Sequence, residues 1–308
     1  MRPCHAMNTP SAPEGDRLPI DALLEWYDTN ARDLPWRAPD ASPWAVLVSE
    51  FMLQQTPVNR VLPVYESWLR RWPAPAALAA EPAGEAIREW GRLGYPRRAL
   101  RLHACAGTLV ELHGGEVPDD VDALLALPGV GTYTARAIAA FAYRQRVPVI
   151  DTNVRRVLTR VFDGVADSSA NVTNLDLDRA KSLLPLQPER AARTSISLME
   201  LGALNCVART PRCSDCPLAT QCRWLLAGFP DNAGPVRRPQ AFAGTDRQVR
   251  GLLMAVLRES PAPVPAGDLD VVWPKAAQRA RALDGLVADG LVDPLPDGRF
   301  ALPGVVTR

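Results

Sequence analysis

The sequence predicts a mainly α-helical protein that ends in a small α/β module. Apolar residues recur at helical spacing from Leu18 to about Leu226, and prolines mark the joints between these segments. Alternating apolar and polar residues, which are typical of strands, are not convincing in this part of the chain. At 308 residues, the chain is long enough for two or three compact units.

The helical periodicity is clearest in three stretches before residue 226. The apolar positions are Leu23, Leu24, Trp26 and Tyr27, then Val61, Leu62, Tyr65, Trp68 and Leu69, then Val154, Val157, Leu158 and Val161. Spacings of three and four residues place each set on one face of an amphipathic helix. The joints are predicted at Pro57, Pro73, Pro82, Pro118, Pro128 and Pro148.

The C-terminal part has a different pattern. Residues 228–245 are rich in Pro, Gly and Arg and are predicted to form a linker. Segments 247–260 and 275–292 have a helical period, and an Asp-Gly turn follows between two short candidate strands. Two helices and a terminal hairpin suit a winged-helix-like module over residues 246–308.

Composition and targeting signals narrow the class of protein. The longest apolar runs, such as 137–143, fall far short of the roughly 18 residues that span a bilayer. Residues 1–17 have no apolar core and are predicted to be a flexible tail rather than a signal peptide. We therefore expect a cytoplasmic protein with no membrane partner, in a compartment where disulfides are rare. The net charge of +1 gives no global argument for or against nucleic acid.

Four of the six cysteines lie within seventeen residues, with spacings of x6, x2 and x5. They are Cys206, Cys213, Cys216 and Cys222. The three histidines are distant in sequence, so a C2H2 zinc finger is excluded. Four thiolates suit either a zinc ion or a [4Fe–4S] cluster, and the spacing alone does not decide between them.

Glu50 stands in the run 45–53, which is otherwise almost wholly apolar. A buried carboxylate is costly unless it is paired, and burial raises its pKa, which suits a general acid. The alternative is a glutamate on a helix face whose head reaches solvent or an arginine. Gln54, Gln55 and Thr56 follow, and Pro57 is expected to end or kink the helix. These three polar residues are either a surface turn or a wedge directed at base edges.

The stretch 127–141 places a Pro-Gly-Val-Gly turn before an Ala-rich helix. Gly129 and Gly131 let the backbone approach a ligand closely, and the N–H groups at a helix start suit a phosphate. Glycine turns before helices are common, but helical periodicity also precedes this one, at 121–127. The combination is typical of a helix-hairpin-helix, which grips the DNA backbone without reading its sequence.

Asp151 and Asn153 precede another apolar-periodic helix. Such residues commonly act as N-caps, and a capping carboxylate is held rigid and ionised, so capping is compatible with catalysis. The nearby Arg155, Arg156 and Arg160 add positive charge.

Taken together, these segments resemble the helix-hairpin-helix DNA glycosylases related to endonuclease III, over about residues 18–226. Gly131 and Asp151 are twenty residues apart, as the family's hairpin and catalytic aspartate are, and the cysteine spacing is that of its [4Fe–4S] site. The resemblance implies a six-helix domain over 43–147. It also implies an iron–sulfur domain from 18–42 and 148–227, with the four clustered cysteines as ligands.

Within that superfamily the details resemble the MutY-type adenine DNA glycosylases. SEFMLQQT resembles the family's signature around its catalytic glutamate, which implies that role for Glu50. VIDTNVRRVL resembles the segment that holds the family's catalytic aspartate and a helper asparagine, which implies these roles for Asp151 and Asn153. LPWR (34–37) resembles the segment that lines the adenine pocket in this family. LGY (93–95) resembles a segment that inserts a tyrosine beside the damaged base. The positions implied to contact DNA or the base are Trp36, Arg37, Gln54, Gln55, Thr56, Val58, Tyr95, Gly129 and Gly131.

Tyr133 occupies the hairpin position where the lyase branch of the family has a Schiff-base lysine. Tyrosine cannot form an imine, so the resemblance implies a monofunctional glycosylase. The implied partner is duplex DNA with adenine opposite 8-oxoguanine or guanine, bound by a nucleoid-associated monomer. The 78 residues after 230 look too short for the Nudix-like domain of many relatives. The alternatives are an oxidised-pyrimidine glycosylase and lyase, and a non-catalytic iron–sulfur DNA-binding protein.

Overall fold

The computed structural model describes residues 17–166, 172–230 and 242–304. The predicted tail, apart from Arg17, and residues 231–241 of the predicted linker lie outside the described residues.

The helices follow one another along most of the described chain. They are α1 (Ile20–Asn30), α2 (Pro43–Leu53), α3 (Val58–Arg71), α4 (Pro75–Ala79), α5 (Ala83–Trp90), α6 (Arg97–His113), α7 (Val121–Leu125), α8 (Thr132–Phe141), α9 (Thr152–Leu158), α10 (Asn174–Leu183), α11 (Pro188–Leu204), α12 (Arg223–Leu226), α13 (Asp246–Glu259), α14 (Ala266–Asp270) and α15 (Ala276–Ala288). The strands are β1 (Val264–Pro265), β2 (Asp293–Pro294) and β3 (Arg299–Ala301). The mainly helical fold class is therefore confirmed, and the strands fall in the C-terminal module.

The described residues divide into two compact units. The hairpin unit comprises 35–138 and 242–304, and the cysteine unit comprises 17–34, 139–166 and 172–230. The domain boundaries drawn from the sequence stay a prediction.

The core of the hairpin unit is built on α2. Ser42 caps this helix by accepting a hydrogen bond from the Ala45 N–H (3.2 Å), and every residue from Trp44 to Met52 is buried. The helix ends at Leu53, so the prediction that Pro57 ends it was wrong in detail: Pro57 caps the start of α3. A polar turn already ends α2, and a proline costs little where a helix N–H would lack a partner.

The C-terminal module has the helix and strand order of a winged helix. Its sheet is antiparallel with strand order β1-β3-β2, and the predicted Asp297-Gly298 turn joins β2 to β3 with a φ of +83° at the glycine. The module packs on α5: the Gly84 N–H donates to the Pro303 carbonyl (2.7 Å). A Cβ on Gly84 would lie 2.8 Å from that of Leu302, so glycine permits this close approach.

In the cysteine unit, α9 packs against α11, and both contribute to one apolar core. Its buried members include Leu23, Val154, Val157, Leu158 and Leu201. Glu200 of α11 is fully buried and accepts hydrogen bonds of 2.7 Å from both Nε and Nη2 of Arg32. Among the described residues, no helix is long and apolar enough to cross a membrane.

Candidate functional site

Glu50 lies on the buried helix α2 and is only 6% exposed. Its sequence neighbours Ser49 and Phe51 are buried as well. The expectation of a carboxyl group withdrawn from solvent is therefore confirmed. The alternative of a head that reaches water is wrong, and a head that reaches an arginine stays a prediction.

The turn after α2 carries the three polar residues expected as a surface turn or a wedge. Gln55 is exposed and has a φ of +56°, a left-handed backbone that is rare for residues other than glycine. The Gln54 amide donates to the Thr134 hydroxyl of α8 at 3.5 Å, whereas Thr56 is buried. The turn therefore presents Gln55 outward while its two neighbours face protein.

Tyr95 stands in the loop between α5 and α6 in a similar conformation. Its φ is +50°, and 59% of its surface is exposed, which is unusual for an aromatic side chain. Left-handed residues other than glycine carry strain and are often found at functional positions. The hairpin unit thus presents two strained, exposed side chains on neighbouring loops.

Arg98 joins these two loops and was not singled out from the sequence. Its Nη1 donates to the carbonyls of Phe51 (2.9 Å), Met52 (3.1 Å) and Gln54 (2.5 Å). Its Nη2 donates to the Thr56 hydroxyl (2.9 Å) and the Gly94 carbonyl (3.1 Å). Burial lowers the pKa of Arg98 to about 10. One buried guanidinium therefore fixes both loops at once.

Gly129 of the hairpin packs closely on α2 and α6. Its φ is +78°, and a Cβ there would lie 2.8 Å from that of Arg101 and 2.9 Å from the Phe51 ring. Gly131 is exposed just before α8, and Tyr133 is the second residue of that helix. The predicted tight turn that opens an Ala-rich helix is confirmed.

The remaining predicted base-contact residues lie at the edge of the core. Trp36 is buried in the short helix Pro35–Arg37, and its ring meets that of Tyr65 edge-on at 5.0 Å. Arg37 is partly buried, and so is Val58, which opens α3. Packing against Tyr65 is thus one role of Trp36 in this structure.

Asp151 caps α9 in the cysteine unit, which confirms the predicted N-cap. Its Oδ1 accepts from the Val154 N–H (2.7 Å), and its Oδ2 accepts from the Asn153 amide (2.8 Å). Burial raises the pKa of Asp151, while these bonds and the charge of Arg156 oppose the shift; the pKa stays above its ordinary value.

Arg156 ties this cap to the cysteine loop, whereas sequence reasoning treated it only as a nearby charge. Its Nη2 donates to the Asn153 Oδ1 (2.8 Å) and the Gly202 carbonyl (2.7 Å), and its Nε to the Cys206 carbonyl (2.7 Å). Gly202 is required here, because a Cβ would lie 2.7 Å from that of Asn153. In the sequence, the signal that could have revealed this role is the arginine of the D-x-N-V-x-R-V segment, which is Arg156.

The four clustered cysteines line one cavity of the cysteine unit together with Arg160 and Trp224. Arg160 is 2% exposed; it donates to the Cys206 sulfur (3.4 Å) and the Val207 carbonyl (2.8 Å). Burial, and then the charges of the other thiolates, raise the pKa of Cys216 to about 11. Neighbouring thiols that oppose each other's ionisation suit a cationic group that binds all four as thiolates.

The cysteine side chains of this cavity are the chemistry that a zinc ion or a [4Fe–4S] cluster requires. Across the described residues, no group of three or more His, Cys, Asp or Glu side chains is arranged to hold one metal ion. The cavity by itself does not decide between the two groups.

Comparison with known proteins shows which class of protein the chain belongs to. Residues 48–181 match the family model of the HhH-GPD superfamily base excision DNA repair proteins. In structure, the chain is similar to a thermostable thymine-DNA glycosylase, with a TM-score of 0.61 and 26% identity over 68% of this chain and 95% of that one. This class of DNA repair protein is the one that the fold and the hairpin define.

The sequence comparison is more specific. The chain is 54% identical to the adenine DNA glycosylase of Mycobacterium tuberculosis (strain ATCC 25618 / H37Rv) over 97% of this chain and 98% of the relative. It is 58% identical to that of Mycolicibacterium smegmatis over 92% and 95%. A thymine/uracil-DNA glycosylase from Pyrobaculum aerophilum is 38% identical over 65% of this chain and 87% of its own length. The chain belongs to the adenine DNA glycosylase family.

Proposed function

We propose that the protein is a monofunctional DNA glycosylase that removes adenine mispaired with 8-oxoguanine or guanine in duplex DNA, as a step of base excision repair. Its membership of the adenine DNA glycosylase family supports this proposal. The observation that carries it is Glu50, a carboxyl group withdrawn from water on α2, beside two loops that present Gln55 and Tyr95.

Glu50 acts as the general acid. Neutral adenine is a poor leaving group, so its N7 accepts the carboxyl proton as the bond from N9 to the sugar C1′ breaks. The electron pair of that bond leaves with the base. A water molecule then adds to C1′ and releases a proton that restores Glu50, so the products are adenine and an abasic site.

Asp151 acts as the stabilising anion. The deoxyribose acquires oxocarbenium character as the bond breaks, and an ionised carboxylate lowers the energy of that cation. The Val154 N–H and the Asn153 amide hold the carboxylate in place and favour its charged form. Asn153 therefore orients Asp151, and Tyr133, which has no amine, supports hydrolysis rather than an imine.

The exposed loops prepare the substrate. Adenine must leave the base stack, which costs a few kcal/mol and is easier at a mispair. Gln55 and Tyr95 fill the gap and contact the opposite base, Gln54 joins them once it leaves the Thr134 hydroxyl, and Gly129 and Gly131 direct backbone N–H groups to phosphate. Trp36, Arg37, Thr56 and Val58 shape the base pocket, Trp36 and Thr56 from buried positions.

Cys206, Cys213, Cys216 and Cys222 hold a [4Fe–4S] cluster. The four thiols that line one cavity would supply the cysteine ligands that such a cluster requires. When bound, the cluster supplies a structural cross-link between the thiolates. Arg209 and Arg212 of the cysteine loop then form part of a DNA-binding surface. We place the enzyme as a monomer on the nucleoid in the cytoplasm.

The test is single-turnover base release from duplexes with adenine opposite 8-oxoguanine, guanine or thymine, together with a guanine–thymine mispair and an oxidised pyrimidine. Adenine release opposite the two purines alone is the expected result. Thymine release instead would support the activity named for the Pyrobaculum relative. Covalent trapping with borohydride would reveal a lyase and overturn the monofunctional assignment.

A further inference from the structure

One guanidinium holds the peptide groups immediately before both of the exposed, strained residues. The carbonyl of Gln54, which precedes Gln55, accepts from Nη1 of Arg98 (2.5 Å). The carbonyl of Gly94, which precedes Tyr95, accepts from Nη2 (3.1 Å). The next residue of each loop then takes the left-handed conformation, with a φ of +56° at Gln55 and +50° at Tyr95. Such a backbone persists only where the surrounding structure holds it, and Arg98 gives both loops the same support.

The contacts around Arg98 also join the two loops to each other. The Thr56 hydroxyl accepts from Nη2 of Arg98 (2.9 Å) and donates to the Leu93 carbonyl of the other loop (3.4 Å). The central carbon of the guanidinium lies 5.2 Å from the centre of the Trp90 ring and 5.5 Å from that of Tyr95, within the range of a cation–π contact. Arg98 therefore cannot move with one loop without losing bonds to the other.

Arginine is required for this arrangement, and a charge alone is not enough. Arg98 is buried, and its hydrogen bonds to the two loops all come from its two terminal nitrogens. Burial lowers its pKa to about 10, so the group is still charged at neutral pH. A lysine would keep the charge, but it has one terminal nitrogen and three donors, too few to reach both loops in the same way.

We propose that Arg98 is a positioning residue that makes Gln55 and Tyr95 enter the DNA base stack as one unit. This inference rests on the proposed function for its partner, DNA, and for the entry of these two side chains. Because one group fixes the backbone before both residues, little further ordering is needed when DNA binds. Binding at a gap in the stack then depends on Arg98, whereas binding to an intact duplex through its phosphates does not.

The first test compares two affinities of Arg98→Lys, one for a duplex with a stable abasic site (a tetrahydrofuran residue) and one for the same duplex intact. The preference for the abasic site should fall about tenfold, the scale of one or two lost hydrogen bonds, with the affinity for the intact duplex unchanged. Arg88→Lys is the matched control, because Arg88 also donates to backbone carbonyls of the same unit, those of Arg258 and Ser260. An equal fall in both affinities would indicate only lost folded protein and would overturn the proposal.

A double-mutant cycle tests the coupling between the two side chains directly. Gln55→Ala and Tyr95→Ala are made singly and together, in the wild type and in Arg98→Lys. In the wild type, the combined loss of preference should be about fivefold smaller than the product of the two single losses. In Arg98→Lys it should lie within about twofold of that product, as for independent sites. Independent losses in the wild type, or a coupling that survives in Arg98→Lys, would overturn the proposal.

Thr56→Val keeps the test decisive if Arg98→Lys does not fold. Valine has nearly the shape of threonine and removes only the hydroxyl that accepts from Nη2, so the coupling should fall in part. A coupling at the wild-type value would overturn the proposal. The abasic duplex has no base to remove, so these measurements need no chemistry. Coupled entry without adenine release would keep the role of Arg98 and reject the adenine substrate, and adenine release with independent entry would do the reverse.

Discussion

Glu50 and Asp151 are both withdrawn from water, but they are held differently. Glu50 lies on a helix of mostly apolar, buried residues, whereas Asp151 caps a helix start and accepts two short hydrogen bonds, while burial raises its pKa. An apolar setting favours the protonated form, and hydrogen bonds to the carboxylate favour the ionised form. Under the proposed mechanism, this contrast in surroundings is what separates the proton donor from the stabilising anion, although both are carboxyl groups.

Removing the proton of Glu50 should have the largest effect. Glu50→Gln keeps the shape of the side chain but cannot donate a carboxyl proton, so we expect single-turnover adenine release to fall by roughly 10³-fold. The matched control is Glu66→Gln, an exposed glutamate on α3 that should leave the rate unchanged. Activity within tenfold of the wild type would reject Glu50 as the acid.

Removing the charge of Asp151 should have the second largest effect. Asn caps helices about as well as Asp, so Asp151→Asn should preserve thermal stability. The loss of the anion should slow base release by roughly 10²-fold. Asp120→Asn, at the N-cap of α7, is the control for capping alone. If Asp151→Asn lowers the melting temperature but keeps the rate, the residue is only a cap.

Loosening the support of Asp151 should have a smaller effect. Arg156→Gln removes the charged link between Asn153, Gly202 and the Cys206 carbonyl, and we expect base release to slow by roughly tenfold. The measurement is single-turnover release at saturating enzyme, with iron content as a second readout. A normal rate would show that the cysteine loop and the aspartate act independently.

The smallest expected effect is a shift in pH dependence. The pKa of Asp151 is raised, so the rate should fall with decreasing pH at a higher pH than an exposed aspartate would give. The Asn153 bond lowers that pKa, so Asn153→Ala should move the acid limb further toward neutral pH. A limb that stays in place or moves down would contradict the assignment of Asp151 to it.

Local patterns in the sequence predicted much of the surroundings of these two carboxyl groups. The burial of Glu50 follows from its apolar neighbours, and the cap at Asp151 from the periodic run after it. The support of each carboxylate could not be read in this way. Arg98 holds carbonyls 44 to 47 residues earlier in the chain, and Arg156 reaches a carbonyl 50 residues later. Arg97 and Arg98 are adjacent, and only the geometry of α6 decides which of them points inward. Arg98 lies on the buried face of this helix, together with Leu102, Cys105 and Leu109.

The packing of the C-terminal module on α5 also could not be predicted from the sequence. The Asp-Gly turn predicted its hairpin, but nothing near Gly84 indicated that this glycine receives Leu302 and Pro303 from the far end of the chain. Long-range approaches of this kind depend on which surfaces meet after each element has formed.

The close approach at Gly202 has a consequence for inherited variation. An alanine there would put one methyl carbon 2.7 Å from the Asn153 Cβ and 2.8 Å from the Asn153 carbonyl oxygen, so the backbone at the start of α9 would have to move. Alanine favours helix over glycine by about 1 kcal/mol, which offsets only part of that strain. We therefore expect a lineage with this allele to carry a repair enzyme whose Asp151 and Asn153 are displaced, and to accumulate mutations although neither residue has changed.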